Sequence, residues 1–341
     1  MVSQAAYRQA RTRAARLWLR FCTYGVYPWQ VLGRFAGARP DMVGVLSSTT
    51  FYAPWLAMLV APRKVPLVHW VLDLYPDALE VAGKLDRAGV PARLLRSLMR
   101  ATFQRAAANV FLGTHLLRHA ERSMGAIPRA QVIPVGADGG PFRATPPLPR
   151  GKPVRVLYCG NLGQMHDTET VFAVLAAGLP DGVEVSFCGN GAGFDALAAR
   201  LAGTGRKVSF SGNLPDAQWA SAMREADVAL VTLRRGAEQV VMPSKAYSAM
   251  MAGQAVLAIG VAESDLAELV RTHDAGWLVE PGDATGLRRV LERIAEVPDE
   301  VLAKRRNAWQ AGHRFYDQSV VSRRWADLFE QVTTPRTNKA R

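Results

Sequence analysis

The chain has 341 residues, 49% of them hydrophobic and 21% charged, which is globular material for about two domains. Three cysteines, Cys22, Cys159 and Cys188, lie far apart with no CxxC pair. That excludes a disulfide framework and a structural zinc site and points to a reducing compartment. The net charge is +13, with 20 Lys+Arg against 7 Asp+Glu in residues 1–150 and 22 of each in residues 151–341, so the basic first half calls for an anionic partner.

The opening "MVSQAAYRQARTRAARLWLRF" carries five arginines in its first twenty residues and no apolar core, so it is not a signal peptide. It reads as a basic helix, with Arg11, Arg16 and Arg20 as candidate membrane contacts. The most apolar run of the first half, "FYAPWLAMLVAP", stops at Arg63 after about a dozen residues, short of the ~20 needed to span a bilayer. Short Val-rich runs then follow: "DMVGVLSS", "PLVHWVLDLY", "NVFLGT" and "AQVIPVG". Such non-alternating runs are what strands buried on both faces look like. His69 and Asp73 fall at the end of the second run and His115 just after the third, positions expected to face a cleft. Asp73 could orient an acceptor hydroxyl or act as its base, a cap on the following turn being the equal alternative. Asp77 reads as a cap on the following turn, and His119 as a surface residue. Between these runs, "PARLLRSLMRATFQR" is a basic amphipathic helix, with Leu94, Leu95, Leu98 and Phe103 on its apolar side. Its Arg93, Arg96 and Arg100 are further candidate membrane contacts, a solvated basic face being the alternative.

The segment "GADGGPFRATPPLPRGKP" is rich in Gly and Pro and reads as a linker. The charge balance changes there too, so the boundary falls near residue 145. Beyond it come the runs "VRVLYCG", "VEVSFCG", "KVSFSG", "VALVTL", "AVLAIG" and "GWLVE", alternating with helical patterns, which makes a parallel α/β arrangement. Helices follow over about 284–297 and 298–330, the last with enough aromatic residues to pack on something large. The expected division is 1–145, 146–308 and a returning helix with tail over 309–341.

Three motifs stand at strand ends. Gly160-Asn161-Leu162-Gly163 and Gly189-Asn190-Gly191 let a backbone approach a ligand, diphosphates above all, although a plain turn needs the same residues. In "VVMPSKAYSAMMAG", Pro243 and Ser244 open a helix, with Ser244 as its cap. Lys245 follows in the first turn, where the helix dipole disfavours a cation unless an anion is near, a surface lysine pointing to water being the alternative.

In order and spacing, "YCGNLG…HD", "FCGNGAG", "VSFSGNLP", "ADVALVTL", "MPSKAYSAMMAGQAVLAI" and "AGWLVEPGDATGL" resemble family 4 glycosyltransferases, most closely those building cell-surface polysaccharides of colanic-acid or O-antigen type. "HWVLDLYPDAL" resembles that branch as well. The resemblance implies a GT-B architecture, two Rossmann-like domains across a cleft, and a retaining, metal-independent transfer with no cofactor beyond the nucleotide-sugar. It places Lys245 at the diphosphate and Gly160 to Gly163 under the phosphates and sugar, with Asn190 nearby; His166, like His115, is a candidate on the acceptor side. Asn213 and Leu214 fall at the nucleotide base. Two departures stand out. Val240 and Ser248 occupy the positions of a glutamate pair whose second member binds ribose, with Glu238 close by but out of register. The family's first strand and glycine loop do not show at the start of this sequence, so either the sequence starts too late, or the N-terminal domain is abridged, or a second chain completes it. The implied acceptor is polyprenyl-diphosphate-linked or a glycan, and the implied place is the cytoplasmic face of the plasma membrane. A non-catalytic donor-binding subunit and a sugar-nucleotide 2-epimerase remain alternatives. Nucleic acid is not expected, for no recognition motif is present.

Overall fold

The computed structural model describes residues 13–39, 41–48, 52–143, 146–202 and 208–334. Two parallel sheets organise them. The first joins β1 (Gly44–Ser47), β2 (Leu67–Val71), β3 (Ala108–Phe111) and β4 (Ala130–Val132) in that order. The second joins β5 (Val154–Asn161), β6 (Val183–Asn190), β7 (Val208–Ser211), β8 (Val228–Thr232), β9 (Ala255–Ile259) and β10 (Gly276–Val279), in the order β10-β9-β8-β5-β6-β7. Strand order therefore reverses between β8 and β5, and a crevice opens outside the carboxyl ends of strands at such a point. The Val-rich runs form strands because helices cover both faces. All residues of β3, β8 and β9 are buried.

Register sets the floor of the site. Cys159, Gly160 and Asn161 of β5 lie beside Cys188, Gly189 and Asn190 of β6. A Cβ on Gly189 would sit 2.0 Å from the Gly160 carbonyl oxygen, and one on Gly191 2.4 Å from Asn161 Oδ1. These glycines are explained by contact between neighbouring loops, with no ligand needed.

The opening helix runs over Arg13–Phe21 and, after a wider turn at Cys22–Val26, resumes over Tyr27–Ala36. Arg11 lies outside the described residues, as do the side chains of Arg16 and Arg20. The helix Val90–Arg105 buries Ala92, Met99, Thr102 and Phe103, while Leu94 is exposed. Its inner face is thus rotated from the expected Leu94, Leu95, Leu98 and Phe103. Arg96 is drawn inward by Glu80, with Nη2 2.5 and 2.6 Å from the two carboxyl oxygens, and Arg100 Nε donates to the Met124 carbonyl at 2.8 Å. Only Arg93 of the three stands exposed without such an engagement. The expected boundary near residue 145 lies outside the described residues.

The expected last helix is broken. Pro298–Ala311 ends in a wide turn at Gly312–Tyr316, and Gln318–Thr333 begins where Asp317 caps it by accepting from the Ser319 amide at 2.9 Å. This second piece returns to the first sheet, with Val321 and Leu328 packing on Val68, Val110 and Ile133. Trp325 meets Trp70 edge-on at 5.4 Å. Between the sheets, one continuous apolar cluster links Leu74, Ala78 and Leu116 to Val240, Met242, Tyr247 and Leu266. The Leu74 amide donates across it to the Val240 carbonyl at 3.2 Å.

Candidate functional site

A cleft of about 640 Å³ opens at the strand-order reversal. Gly160, Asn161, Gly163 and His166 line one side. Ser244, Lys245 and Ser248 line another, and Val135 to Asp138, just after β4, close it from the first sheet. Lys245 is the first residue of the helix Lys245–Met251. Ser244 precedes it in helical conformation and makes no side-chain cap, contrary to the expected role; its side chain is exposed at the cleft instead.

Lys245 is held by the strand beneath it. Its Nζ donates to the Tyr158 hydroxyl and, at 3.3 Å, to the Asn161 carbonyl, and lies 4.1 Å from the Tyr158 ring centre. The Tyr158 hydroxyl in turn donates to the Asn161 carbonyl at 2.8 Å. No carboxylate pairs with the ammonium among the described residues. Burial therefore lowers its pKa to about 7, against a small opposing effect of Cys159. Desolvation without a counter-charge disfavours the protonated form. A Cβ built on Gly160 would lie 3.9 Å from Lys245 Cε, in ordinary contact, so the glycine is required by its backbone φ of +126° and not by the lysine.

His166 Nδ1 donates to the Thr232 carbonyl at 2.6 Å, which places the proton on that nitrogen. Burial, and then the Lys245 charge, lower its pKa to about 4, so it is neutral at pH 7. Ser248, one turn beyond Lys245, is half-buried. It also lines an adjoining pocket of about 80 Å³ with Cys159, Trp219 and Gln254. Gln254 is fully buried and its Oε1 has no hydrogen-bond partner. Burial, and then Cys188, raise the Cys159 thiol to about 11, which leaves it inert.

Other expected residues lie elsewhere. Leu162 is buried, its amide donating to the Asn190 carbonyl at 2.7 Å. Gly189 and Asn190 support that loop from behind and do not line the cleft. Asn213 is exposed and Leu214 half-buried, both outside it. His69 is fully buried against Phe103, ring centres 5.3 Å apart, because it is the middle residue of β2, a strand covered on both faces, and not at the strand's end as expected. Asp73 is half-buried, its amide donating to Ser48 Oγ at 3.0 Å and burial raising its pKa. It does not line the Lys245 cleft.

His115 lies at the domain junction, where Asp265 accepts from the amides of His115 and Leu116 at 2.8 and 3.0 Å. His115 Nε2 is 3.1 Å from Glu268. His119 is buried, not on the surface, 3.2 Å from Asp77. Burial alone would raise the Asp77 pKa, but His119 and Arg96 bring it below the usual carboxylate range. Asp77 is therefore the hub of a buried polar cluster and makes no cap.

Two parallel sheets of this order, a crevice at the reversal and a terminal helix that crosses back define a GT-B protein. Residues 153–296 match the family model "Glycosyl transferases group 1". The chain is 27% identical over 257 residues to the "Probable glycosyltransferase WbjE" of Pseudomonas aeruginosa, covering 72% of this chain and 62% of that protein. It thus spans about three fifths of that relative's length. Among solved structures, it resembles sucrose-phosphate synthase from Thermosynechococcus elongatus with a TM-score of 0.70 and 19% identity, over 90% of this chain and 79% of that one. It also resembles Anabaena Alr3699/HepE, solved in complex with UDP-glucose, with a TM-score of 0.66 and 16% identity over 89% and 82% of the two chains.

Among the described residues no helix is long and apolar enough to cross a membrane, and no cluster of His, Cys, Asp or Glu is arranged to hold a metal ion.

Proposed function

We propose that the chain is a retaining glycosyltransferase that takes a sugar from a UDP-sugar and delivers it to a lipid-linked or polysaccharide acceptor in cell-surface glycan assembly. The observation that carries this reading is Lys245, a desolvated ammonium without a counter-charge at the floor of the cleft. A donor diphosphate supplies the missing anion. As the sugar–phosphate bond breaks, negative charge grows on the leaving diphosphate, and a positioned cation there contributes roughly 3 kcal/mol to the transition state. In this scheme Lys245 does the neutralising that a metal ion does elsewhere, so transfer is proposed to need no metal. Neutral His166 and the Asn161 backbone flank the same point and orient the sugar. The HepE complex with UDP-glucose, on the same fold, supports a uridine nucleotide as the donor.

The experiment is calorimetry with UDP and UDP-sugars between pH 6 and 9. Binding of the dianion favours the ammonium form, so the free protein must take up a proton wherever Lys245 is neutral. Affinity should fall as pH rises above about 7, with proton uptake visible as a buffer-dependent enthalpy. EDTA should change nothing. PH-independent binding, or binding that EDTA abolishes, would refute the assignment.

A second reading, a donor-binding subunit without activity of its own, is favoured by Ser248, which offers ribose one neutral hydroxyl. Turnover by the purified chain decides between them.

We place the chain at the cytoplasmic face of the membrane, held by its opening helices. Trp18 is 63% and Trp29 74% exposed, beside exposed Leu17 and Phe21, in a stretch rich in arginine. Aromatic side chains with basic neighbours are the signature of an interfacial helix. Arg96, drawn in by Glu80, contributes little to that surface, whereas Arg100 stays exposed while its Nε donates to the Met124 carbonyl.

A further inference from the structure

A second cleft, of about 790 Å³, separates the helix Thr114–Met124 of the first domain from the loops after β8, β9 and β10 of the second. It shares no lining residue with the Lys245 cleft. The helix contributes His115, Arg118, His119 and Arg122, spaced three and four apart so that they share one face. Arg235, Glu238 and Glu280 stand among the facing residues. Several of these charges are already satisfied. His115 is paired with Glu268, His119 with Asp77 and Arg235 with Glu280.

Besides Glu263, an exposed carboxylate open to water, three groups are left over. Arg118 and Arg122 are exposed and have no ion pair among the described residues. Glu238 is only 8% exposed, and its Oε2 has no hydrogen-bond partner. A buried carboxyl oxygen without a donor is costly, so natural structures rarely leave one unless a ligand or water supplies the donor.

The remainder selects a ligand class. A bare anion would suit the two arginines but not Glu238. A metal cation would suit Glu238 but not the arginines. A neutral sugar would leave both arginines idle. A sugar that also bears a carboxylate or phosphate meets all three, its hydroxyls donating to Glu238 and its acidic group lying between Arg118 and Arg122. We infer that this cleft is a binding subsite for an anionic glycan, a sugar carrying a carboxylate or phosphate, distinct from the donor cleft. That the glycan is the acceptor rests on the glycosyltransferase reading. The subsite itself rests on the leftover groups.

The test measures binding of glucuronic acid, glucose 1-phosphate, glucose and inorganic phosphate by calorimetry or saturation-transfer NMR, with UDP saturating the donor cleft. The acidic sugars should bind at least about tenfold more tightly than glucose or inorganic phosphate, as one added charge-assisted contact provides. Their order relative to each other identifies the acidic group. Arg118→Ser with Arg122→Ser, both exposed and safe for folding, should abolish that preference. Glu238→Gln should weaken the acidic sugars while leaving inorganic phosphate unchanged, and UDP affinity should be the same in every variant. Equal binding of glucose and glucuronic acid, or binding indifferent to these substitutions, overturns the subsite. If UDP fails to bind while the acidic sugars do, the donor assignment falls and the subsite stands.

Discussion

Lys245 sets two opposite demands at one position. Its burial disfavours the charged form in the free protein, and the proposed function needs that form in the complex. The folded pKa of about 7 lies below the unfolded value near 10.5. Between those values the unfolded chain binds the extra proton, so stability should rise with pH across that window. Lys245→Met should therefore raise the melting temperature at pH 7 and flatten its rise toward pH 10, while UDP affinity falls by roughly 10- to 100-fold, as for a lost hydrogen bond to a charged group. A variant that loses stability, or keeps UDP affinity, would contradict the electrostatic account. Ser248 gives the complementary case. The adjoining pocket of about 80 Å³ offers room for a longer side chain, so Ser248→Glu should tighten UDP by roughly 1–3 kcal/mol, read by the same titration. Lys245 was legible in the sequence because a cation in a first helical turn is anomalous. Tyr158, which positions it, was not. In "VRVLYCG" it reads as one more core residue, and only the fold shows its hydroxyl meeting the ammonium. His69 misled for the converse reason, since the sequence suggested a strand end where the fold has the middle of β2.

At the scale of single elements, the helix Val90–Arg105 shows how periodicity can identify a helix and misassign its face. Its leucines and arginines suggested an apolar side against a basic one. Small Ala92 and bulky Met99 and Phe103 instead take the inner side, and Glu80 draws Arg96 partly under cover. Their side chains are 13% and 10% exposed, and removing one partner of such a pair leaves the other charge stranded. Arg96→Ala should destabilise the fold by about 3 kcal/mol, and Arg93→Ala, one turn earlier and exposed, by less than about 0.5 kcal/mol, both measured by denaturant unfolding. Equal effects would mean that the Glu80 contact contributes nothing. The opening helices make a separate prediction. Trp18→Ser with Trp29→Ser should reduce sedimentation with anionic vesicles at 0.5 M salt, where screening weakens the arginines and apolar burial remains. Unchanged sedimentation would return these two residues to ordinary surface. The broken last helix was not legible, because Gly312–Tyr316 carries no proline. The stop comes from Asp317 capping the next helix.

At the scale of the whole molecule, the two sheets and their strand runs could be read from Val-rich periodicity, but the contact between domains could not. Its partners lie about 150 residues apart, and no local pattern links them. The central one is Asp265, which accepts from the amides of His115 and Leu116 and so caps a helix of the opposite domain. This contact depends on Gly113. A Cβ there would fall 2.1 Å from Asp265 Cγ, too close for the carboxyl to stay in place. Gly113→Ala is thus a wedge between the domains at a point well removed from Lys245 in the chain. The expected outcome is a larger radius of gyration by X-ray scattering in the free protein, with the Lys245 site intact on the second domain and UDP affinity changed little. Turnover should fall much further than UDP affinity, because Val135 to Asp138 of the first domain would no longer close the donor cleft. Asp265→Ala removes the carboxyl the new methyl would meet, so combining it with Gly113→Ala should bring the radius back toward that of Asp265→Ala alone. If Gly113→Ala leaves scattering and turnover unchanged, the Asp265 contact does not hold the domains together, and closure must rest on the apolar cluster around Leu74 and Val240.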